Sequence, residues 1–262
     1  MYLQDILDRD KVSSQFSAQK ILFLFAHPDD EQYMAGTIQE FLSLGHTVYV
    51  AYSTSGANGT DLTGLYPTPE LLGPARELEA VSSLTNLGVT LGNILPLRQD
   101  ASGSDAIIIR DQLITDLAGA GISGIECIIS FDHGGIYGTG AGVEHSACQL
   151  SAISYFRMTD SVKSCIYFTI PTSDIDDTGG DLTQGNSVND NEVDAFLTLT
   201  AGQVTKKQDV IDYHVTQYAG AGATTIKNHF SSRPYEYFKN GQERLNAGNF
   251  SNREYLKMIF GG

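Results

Sequence analysis

The uninterrupted apolar run ILFLFA at residues 21–26 limits the possible folds of this chain more than any other feature. A short run without alternating polar residues is typical of a parallel strand that is covered on both faces. Apolar residues then recur at helical spacing over residues 31–44, Gly45 stands where a C-terminal cap would lie, and a second apolar run begins at Thr47. Strand, helix and strand within about thirty residues predict a right-handed βαβ unit.

The same alternation continues downstream and predicts an α/β fold. A helix is expected over residues 74–87, with Pro74 in its first turn. This order of elements predicts a Rossmann-like, mostly parallel, doubly wound sheet with helices on both faces, in a single domain over residues 1–262. Further strands are expected at 93–96, 125–130 and 165–170, and further helices near 106–118, 143–157 and 201–218.

Sheets of this kind bind their ligands outside the carboxyl ends of the strands, at a topological switch point. Segments rich in glycine, proline and polar residues favour irregular loops. We therefore expect three loops to rim a cleft at that edge: about 53–73, 131–142 and 171–190.

The charge balance excludes some classes of partner. The chain has 16 Lys and Arg against 31 Asp and Glu, a net charge of -15, so it should repel nucleic acids and anionic lipids. It has no run of about 18 apolar residues and no signal-peptide pattern, so no membrane span is predicted. Cys127, Cys148 and Cys165 lie singly in apolar segments and are expected to be buried thiols in a reducing, cytoplasmic compartment. The oligomeric state stays open.

Ionisable side chains crowd the segment that follows the first strand, His27-Pro28-Asp29-Asp30-Glu31. Such groups at the end of a buried strand cost desolvation energy unless a cation or several donors compensate them. A helix cap at Asp29 or Asp30, with Glu31 near the helix dipole, would explain one or two carboxylates but not His27. A metal ion held by His27 and Asp30 explains the cluster, with Asp29 left unligated as a base.

A zinc site of this kind needs a third protein ligand and leaves its fourth position to water. The candidates lie in residues 130–145, which follow a predicted strand through a glycine-rich loop. His145, where the next helix begins, is the preferred third ligand, and His133 is its competitor. Two histidines and one carboxylate also suit Fe²⁺, so the sequence predicts Zn²⁺ without excluding Fe²⁺.

The motif AHPDDE after a first apolar strand resembles the signature of the LmbE-like, PIG-L-type N-acetylglucosamine deacetylases. Three further segments are similar to parts of that family: STSGANGT at 53–60, AREL to LGV at 75–89, and KKQDVIDYHVTQ at 206–217. Together these segments span most of the chain.

The resemblance implies roles for individual residues. His27, Asp30 and His145 would bind zinc, and Asp29 would be the general base. Arg76 and Asp100 fall where the family places groups that hold sugar hydroxyls. For Arg76, a solvent-facing salt bridge is the alternative interpretation.

One departure from the family pattern concerns the oxyanion. The family's H-P-D-H segment reads Gly142-Val143-Glu144-His145 here, so glycine replaces a histidine that helps to stabilise the oxyanion. His133, Tyr137 or His214 could reach the same space, and His133 is preferred as the catalytic substitute, with Tyr137 and His214 expected to contact substrate. Alternatively, His133 and Tyr137 organise the loop and His214 faces a core.

The sequence thus predicts a zinc-dependent hydrolase that uses metal-activated water to remove the N-acetyl group from an N-acetylglucosamine-containing or related N-acyl substrate. Its partner would be a small N-acetylated sugar conjugate. The alternative is a catalytically weak, zinc- and sugar-binding relative of the same fold. A nucleotide-binding oxidoreductase would need G-x-G-x-x-G after the first strand, where this chain has AHPDDE.

Overall fold

Seven strands form one sheet in the computed structural model, which describes residues 18–96, 98–101, 103–132, 143–174, 187 and 189–243. The strands of this part of the chain are β1 (Lys20–Phe25), β2 (Thr47–Tyr52), β3 (Ile94–Pro96), β4 (Cys127–Phe131), β5 (Ser164–Thr169), β6 (Ala195–Thr198) and β7 (Tyr235–Glu243). Its helices are α1 (Ala35–Ser43), α2 (Pro69–Leu87), α3 (Ala106–Gly119), α4 (Val143–Met158), α5 (Ala201–Tyr213) and α6 (Gly220–Ser232).

The strand order, β3-β2-β1-β4-β5-β7-β6, confirms the predicted mostly parallel α/β sheet. Strands β1 to β5 pair in parallel, whereas β7 pairs antiparallel with both β5 and β6. From β1 the chain proceeds outward to β2 and β3 on one side, and later to β4 and β5 on the other. The switch point therefore lies between the carboxyl ends of β1 and β4.

Both faces of the sheet are covered. Consecutive strand residues point to opposite faces, and residues 21–25 of β1 are all completely buried. Helix α4 packs on β1, β4 and β5 and is covered by α3, whereas α1, α2, α5 and α6 pack with one another. In the core beneath the switch point, the Phe25 ring lies 5.8 Å from the Phe23 ring and 6.1 Å from the Phe131 ring.

Helix α2 begins earlier than the sequence predicts. Pro69 lies in its first turn, whereas Pro74 lies inside the helix on an exposed face. A proline inside a helix removes one backbone hydrogen bond, and either proline suits a first turn, so composition alone does not distinguish them. The helix ends at Leu87, and Gly88, with a φ of 102°, forms its left-handed cap.

The C-terminal part of the described chain departs most from the sequence-based expectation. The helix predicted over 201–218 ends at Tyr213, where the backbone turns. The N–H groups of Gln217 and Tyr218 donate to the His214 carbonyl at 3.0 and 2.9 Å. Strands β6 and β7 and helix α6 were not predicted. This region adds two strands to the sheet beyond β5 and places a turn next to the segment after β1.

The three cysteines are free thiols buried in β4, α4 and β5, as predicted. None of the helices in the described ranges has both the length and the apolar character that a membrane crossing needs. The predicted loop 53–73 is described up to the start of α2, whereas most of 131–142 and 171–190 lies outside the described residues.

Candidate active site

A tight turn after β1 brings residues 27–30 to the switch point of the sheet. The Asp30 N–H donates to the His27 carbonyl at 3.2 Å and closes the turn. Asp29 has a φ of 106°, in the left-handed region that residues other than glycine seldom adopt. Its side chain makes no capping hydrogen bond to the helical turn Asp30–Met34 that follows. Asp29 therefore occupies the N-cap position that the sequence suggested, but its side chain does not cap the turn and is left for another role.

His27, Asp30 and His145 form a group whose ligand atoms all lie within 4.8 Å of one another. His145 Nε2 lies 3.1 Å from Asp30 Oδ1, and His27 Nδ1 lies 3.8 Å from Asp30 Oδ2. A tetrahedral zinc ion with bonds of about 2.1 Å separates its ligand atoms by roughly 3.4 Å. The three side chains therefore fit a zinc ion, and the same set of donors suits Fe²⁺.

Buried structure holds two of these three side chains in place. Asp30 is 2% exposed, and its Oδ2 accepts the N–H groups of Ala26 and His27 at 3.0 and 2.8 Å. His145 lies in the first turn of α4 and is completely buried. Its ring packs 4.5 Å from the Phe131 ring and meets the edge of the His27 ring at 5.1 Å. The end of β4 and the start of α4 thus bring His145 to the turn after β1.

The protonation states of His27 and Asp30 suit a cation. Burial lowers the pKa of His27 to about 4, which leaves a neutral imidazole at neutral pH. Burial acts to raise the pKa of Asp30, but the charge and hydrogen bond of His145, together with His27, outweigh it and lower that pKa. A neutral histidine and an ionised aspartate are the forms that bind metal ions.

Asp29 stands beside this group with an unusual pKa. Burial raises the pKa of Asp29 to about 7, although the charge of Arg76 acts to lower it. Asp29 Oδ2 lies 3.4 Å from Arg76 Nη2 and accepts a hydrogen bond from the Tyr218 hydroxyl at 3.2 Å. A carboxyl group that titrates near pH 7 can accept a proton and return it under physiological conditions.

Arg76 is buried, not solvent-facing, with 4% of its surface exposed. Its guanidinium donates to the carbonyls of Gly56 at 3.0 Å and Pro28 at 2.6 Å. Gly56 has a φ of +69°, and a Cβ at this position would lie 2.3 Å from Arg76 Nη1. The glycine therefore allows the loop after β2 to approach the guanidinium, which in turn ties this loop to the segment that carries Asp29.

A cleft of about 310 Å³ opens over these residues. Asp100 lies at its wall, where its Oδ1 accepts the N–H and the hydroxyl of Ser55 at 2.9 and 2.8 Å. Most of the side chains that face the cleft are polar. Its lining consists of His27, Asp29, Asp30, Thr54, Gly56, Asn58, Gly59, Arg76, Asp100, Glu144, Gln217 and Tyr218.

His214 does not line this cleft, and a role in contacting substrate does not fit its position. It is completely buried, and its Nε2 lies 2.6 Å from Glu31 Oε1. Glu31 Oε2 in turn accepts the N–H of Asp29 at 3.0 Å and the hydroxyl of Tyr52 at 2.8 Å. His214 and Glu31 thus form a buried ion pair behind the turn that carries Asp29. This position is similar to the alternative in which His214 faces a core.

Two other predicted residues, His133 and Tyr137, lie outside the described residues, as does Gly142. Conversely, the cleft contains Tyr218, which sequence reasoning missed. Tyr218 directly follows the segment 206–217 that carried the family resemblance. Its distance from residue 29 along the chain left no local pattern that could reveal their contact.

The family model described as PIG-L, GlcNAc-PI de-N-acetylase, matches residues 22–155 of the 262-residue chain. A Dictyostelium discoideum protein, described as a probable N-acetylglucosaminyl-phosphatidylinositol de-N-acetylase, is 28% identical over 141 residues, which cover 51% of this chain and 49% of that protein. The match thus spans about half the length of this curated relative.

Two solved structures share the fold at low sequence identity. The N,N'-diacetylchitobiose deacetylase of Pyrococcus horikoshii superposes with a TM-score of 0.61 at 16% identity, over 92% of this chain and 89% of that chain. The 4-carboxy-2-hydroxymuconate hydratase of Pseudomonas putida KT2440 superposes with a TM-score of 0.54 at 15% identity, over 88% of this chain and 100% of that one. Because one of these proteins is a deacetylase and the other a hydratase, the fold alone does not decide the reaction.

Proposed function

The chain belongs to the PIG-L family, and we propose that it is a metal-dependent hydrolase that removes the N-acetyl group from an N-acetylglucosamine-containing or related N-acyl substrate. The observation that carries this proposal is the convergence of His27, Asp30 and His145 on one point, with Asp29 beside them in the same cleft. Three ligands with an adjacent base are what hydrolysis by an activated water requires.

We propose zinc as the ion, held by His27, Asp30 and His145, with Fe²⁺ as the alternative for the same donors. When bound, the ion would supply Lewis acidity, which lowers the pKa of water and polarises a carbonyl oxygen. The spacing of the three ligand atoms and the neutral state of His27 support this assignment.

Asp29 is the proposed general base. It would accept one proton from the attacking water as the new C–O bond forms at the acetamide carbonyl. It would then return that proton to the departing nitrogen as the C–N bond breaks, so that water and the amide become acetate and an amine. The pKa of about 7 and the open side of Asp29 toward the cleft support both steps.

The sugar would be held by polar side chains at the cleft wall. Arg76 and Asp100 both line the cleft and are proposed to contact the hydroxyl groups of the sugar. The cleft volume of about 310 Å³ is at the lower end of the range for small-molecule sites. A single sugar unit with its acetamide group therefore suits this space, with the remainder of the substrate outside it. His133 remains the proposed oxyanion donor and Tyr137 a proposed substrate contact.

The experiment that tests this proposal is acetate release from a panel of N-acetylglucosaminides by the purified protein and by Asp29→Asn. The substitution should reduce kcat by about a thousandfold or more, because the base is lost, while the metal content stays the same. The matched control is Asp111→Asn, which changes an aspartate with a side chain 60% exposed and should leave kcat unchanged.

Metal binding without acetate release from any substrate would instead favour the zinc- and sugar-binding alternative. A hydratase would add water to a carbon–carbon double bond and release no acetate. Full activity in Asp29→Asn would contradict the assignment of the base.

A further inference from the structure

Tyr218 places its hydroxyl group on the side chain proposed to be the general base. It lies in the turn after α5, and its ring lines the cleft. We propose that Tyr218 is a positioning residue that, together with Arg76, holds one oxygen of Asp29 and leaves the other to take the proton from water. This inference rests on the proposed function, in which Asp29 is the base.

The direction of the hydrogen bonds is set by Gln32. Its side-chain Nε2 donates to the Tyr218 hydroxyl oxygen in a short contact. Gln32 is 2% exposed, so its amide lies inside the protein, where a water molecule does not readily replace it as the donor. A phenol has one proton, and an amide NH₂ group only donates. The Tyr218 proton therefore points to Asp29 Oδ2, the acceptor 3.2 Å away.

The two oxygens of Asp29 consequently differ. Oδ2 accepts the Tyr218 hydroxyl at 3.2 Å and forms an ion pair with Arg76 Nη2, 3.4 Å away. Among the described residues, Oδ1 has no hydrogen-bond donor. A carboxylate oxygen that accepts a hydrogen bond and lies beside a positive charge is a poorer proton acceptor than its neighbour, so Oδ1 is the oxygen that takes the proton.

One buried ion pair links the backbone of Tyr218 to the backbone of Asp29. Glu31 accepts the Asp29 N–H at 3.0 Å and pairs with His214 at 2.6 Å. The His214 carbonyl accepts the Tyr218 N–H at 2.9 Å. The backbone of the base and the backbone of the tyrosine are thus linked through a pair with no solvent exposure.

Further anchors fix the turn that carries Tyr218. Thr216 donates its N–H and its hydroxyl to the carboxylate of Glu79 on α2, at 2.9 and 2.6 Å. Gln217 donates to the Thr60 carbonyl at 2.9 Å. The turn that carries the Tyr218 phenol is therefore anchored to α2 and to the loop after β2. These anchors hold the phenol in contact with Asp29.

The test is the kinetics of Tyr218→Phe, which removes only the hydroxyl. A lost hydrogen bond to a charged group predicts a decrease in kcat of roughly tenfold or more, with KM changed less than about twofold. Tyr213→Phe is the matched control, because Tyr213 lies five residues earlier and is 37% exposed. This control should change neither constant.

A second variant separates positioning from general structural support. Gln32→Leu removes the donor that orients the hydroxyl and should also lower kcat without raising KM. If both residues act through one hydrogen-bond chain, the double variant should be no slower than Tyr218→Phe alone, whereas independent structural effects would multiply. Gln32→Leu also tests the chain if Tyr218→Phe does not fold.

The outcomes are distinguishable. An active wild type that tolerates Tyr218→Phe, or a variant in which KM rises and kcat does not fall, would overturn the positioning role and leave the proposed function intact. A double variant whose kcat falls by the product of the two single-variant effects would also overturn the positioning role. A wild type that releases no acetate from any substrate would overturn the proposed function, and the positioning role with it.

Discussion

Replacing Glu31 with glutamine should cost about 3–5 kcal/mol of unfolding free energy at neutral pH, because it removes one partner of a buried ion pair. Glu31 and His214 are both completely buried, with 2.6 Å between Oε1 and Nε2. Burial alone would lower the pKa of His214, but the charge and hydrogen bond of Glu31, with the Glu79 carboxylate 3.8 Å away, outweigh it and raise that pKa to about 10. The variant therefore leaves a buried imidazolium with less compensation.

The loss of unfolding free energy in Glu31→Gln should become smaller as the pH rises. The pKa of His214 is about 10 in the folded protein and about 6.5 in an unfolded chain. The stabilisation from the protonated ring is therefore fully present below about pH 6.5 and is lost as the pH rises through about 10. The charged groups that face His214 are Glu31, Glu79 and, further away, Asp29. The difference between wild type and Glu31→Gln should be largest near pH 6 and smallest near pH 10.

Urea unfolding followed by circular dichroism measures this difference, with all samples treated with a chelator so that metal binding does not contribute. A shift in midpoint at constant slope reports stability. The matched control is Glu77→Gln, which breaks a pair with Arg98, a residue whose side chain is 65% exposed. That change should cost at most about 1 kcal/mol and should not vary between these pH values, because arginine does not titrate there. A Glu31→Gln loss no larger than that of the control, or equal at both pH values, would show that the charged pair does not stabilise the folded protein.

Three further predictions follow from other contacts. Replacing His145 with alanine removes one of three ligands and should reduce bound zinc from about one ion per chain to a small fraction, as measured by metal analysis after dialysis; unchanged zinc content would contradict the ligand assignment. Gly56→Ala would place a Cβ 2.3 Å from Arg76 Nη1 at a φ of +69°, so kcat/KM for acetate release should fall about tenfold or more, and an unchanged value would show that this contact is not needed. Lys207→Met removes the partner of Glu236, 2.7 Å away with both side chains buried, and should cost about 3–5 kcal/mol in urea unfolding, whereas a loss below about 1 kcal/mol would be inconsistent with a buried pair.

The part of the fold around the candidate site could be predicted from the sequence. The run at 21–26 and the alternation that follows it are local patterns, and they correspond to β1, α1 and β2 within one or two residues once the first helical turn at Asp30–Met34 is included. Strand β7 could not be predicted in the same way, because its place between β5 and β6 depends on pairing with segments far away in the chain. Its residues therefore carried no signal of their position.

The same distinction between local patterns and long-range contacts applies to the candidate site. His27, Asp29 and Asp30 are adjacent in sequence, so their common location followed from one turn. The contact of Tyr218 with Asp29 joins residues 189 positions apart and depends on how α5 ends. The burial of His214 depends on the pairing of its ring with Glu31, which helical spacing does not reveal.

One metal ion at His27, Asp30 and His145 is proposed to be needed for release of acetate. The most direct measurement is acetate release by the chelator-treated protein as Zn²⁺ is added back, with bound metal determined in the same samples. No acetate should be released without metal, and the rate should rise linearly with added Zn²⁺ and stop rising at about one ion per chain. Acetate release that is unaffected by complete removal of the metal would contradict it.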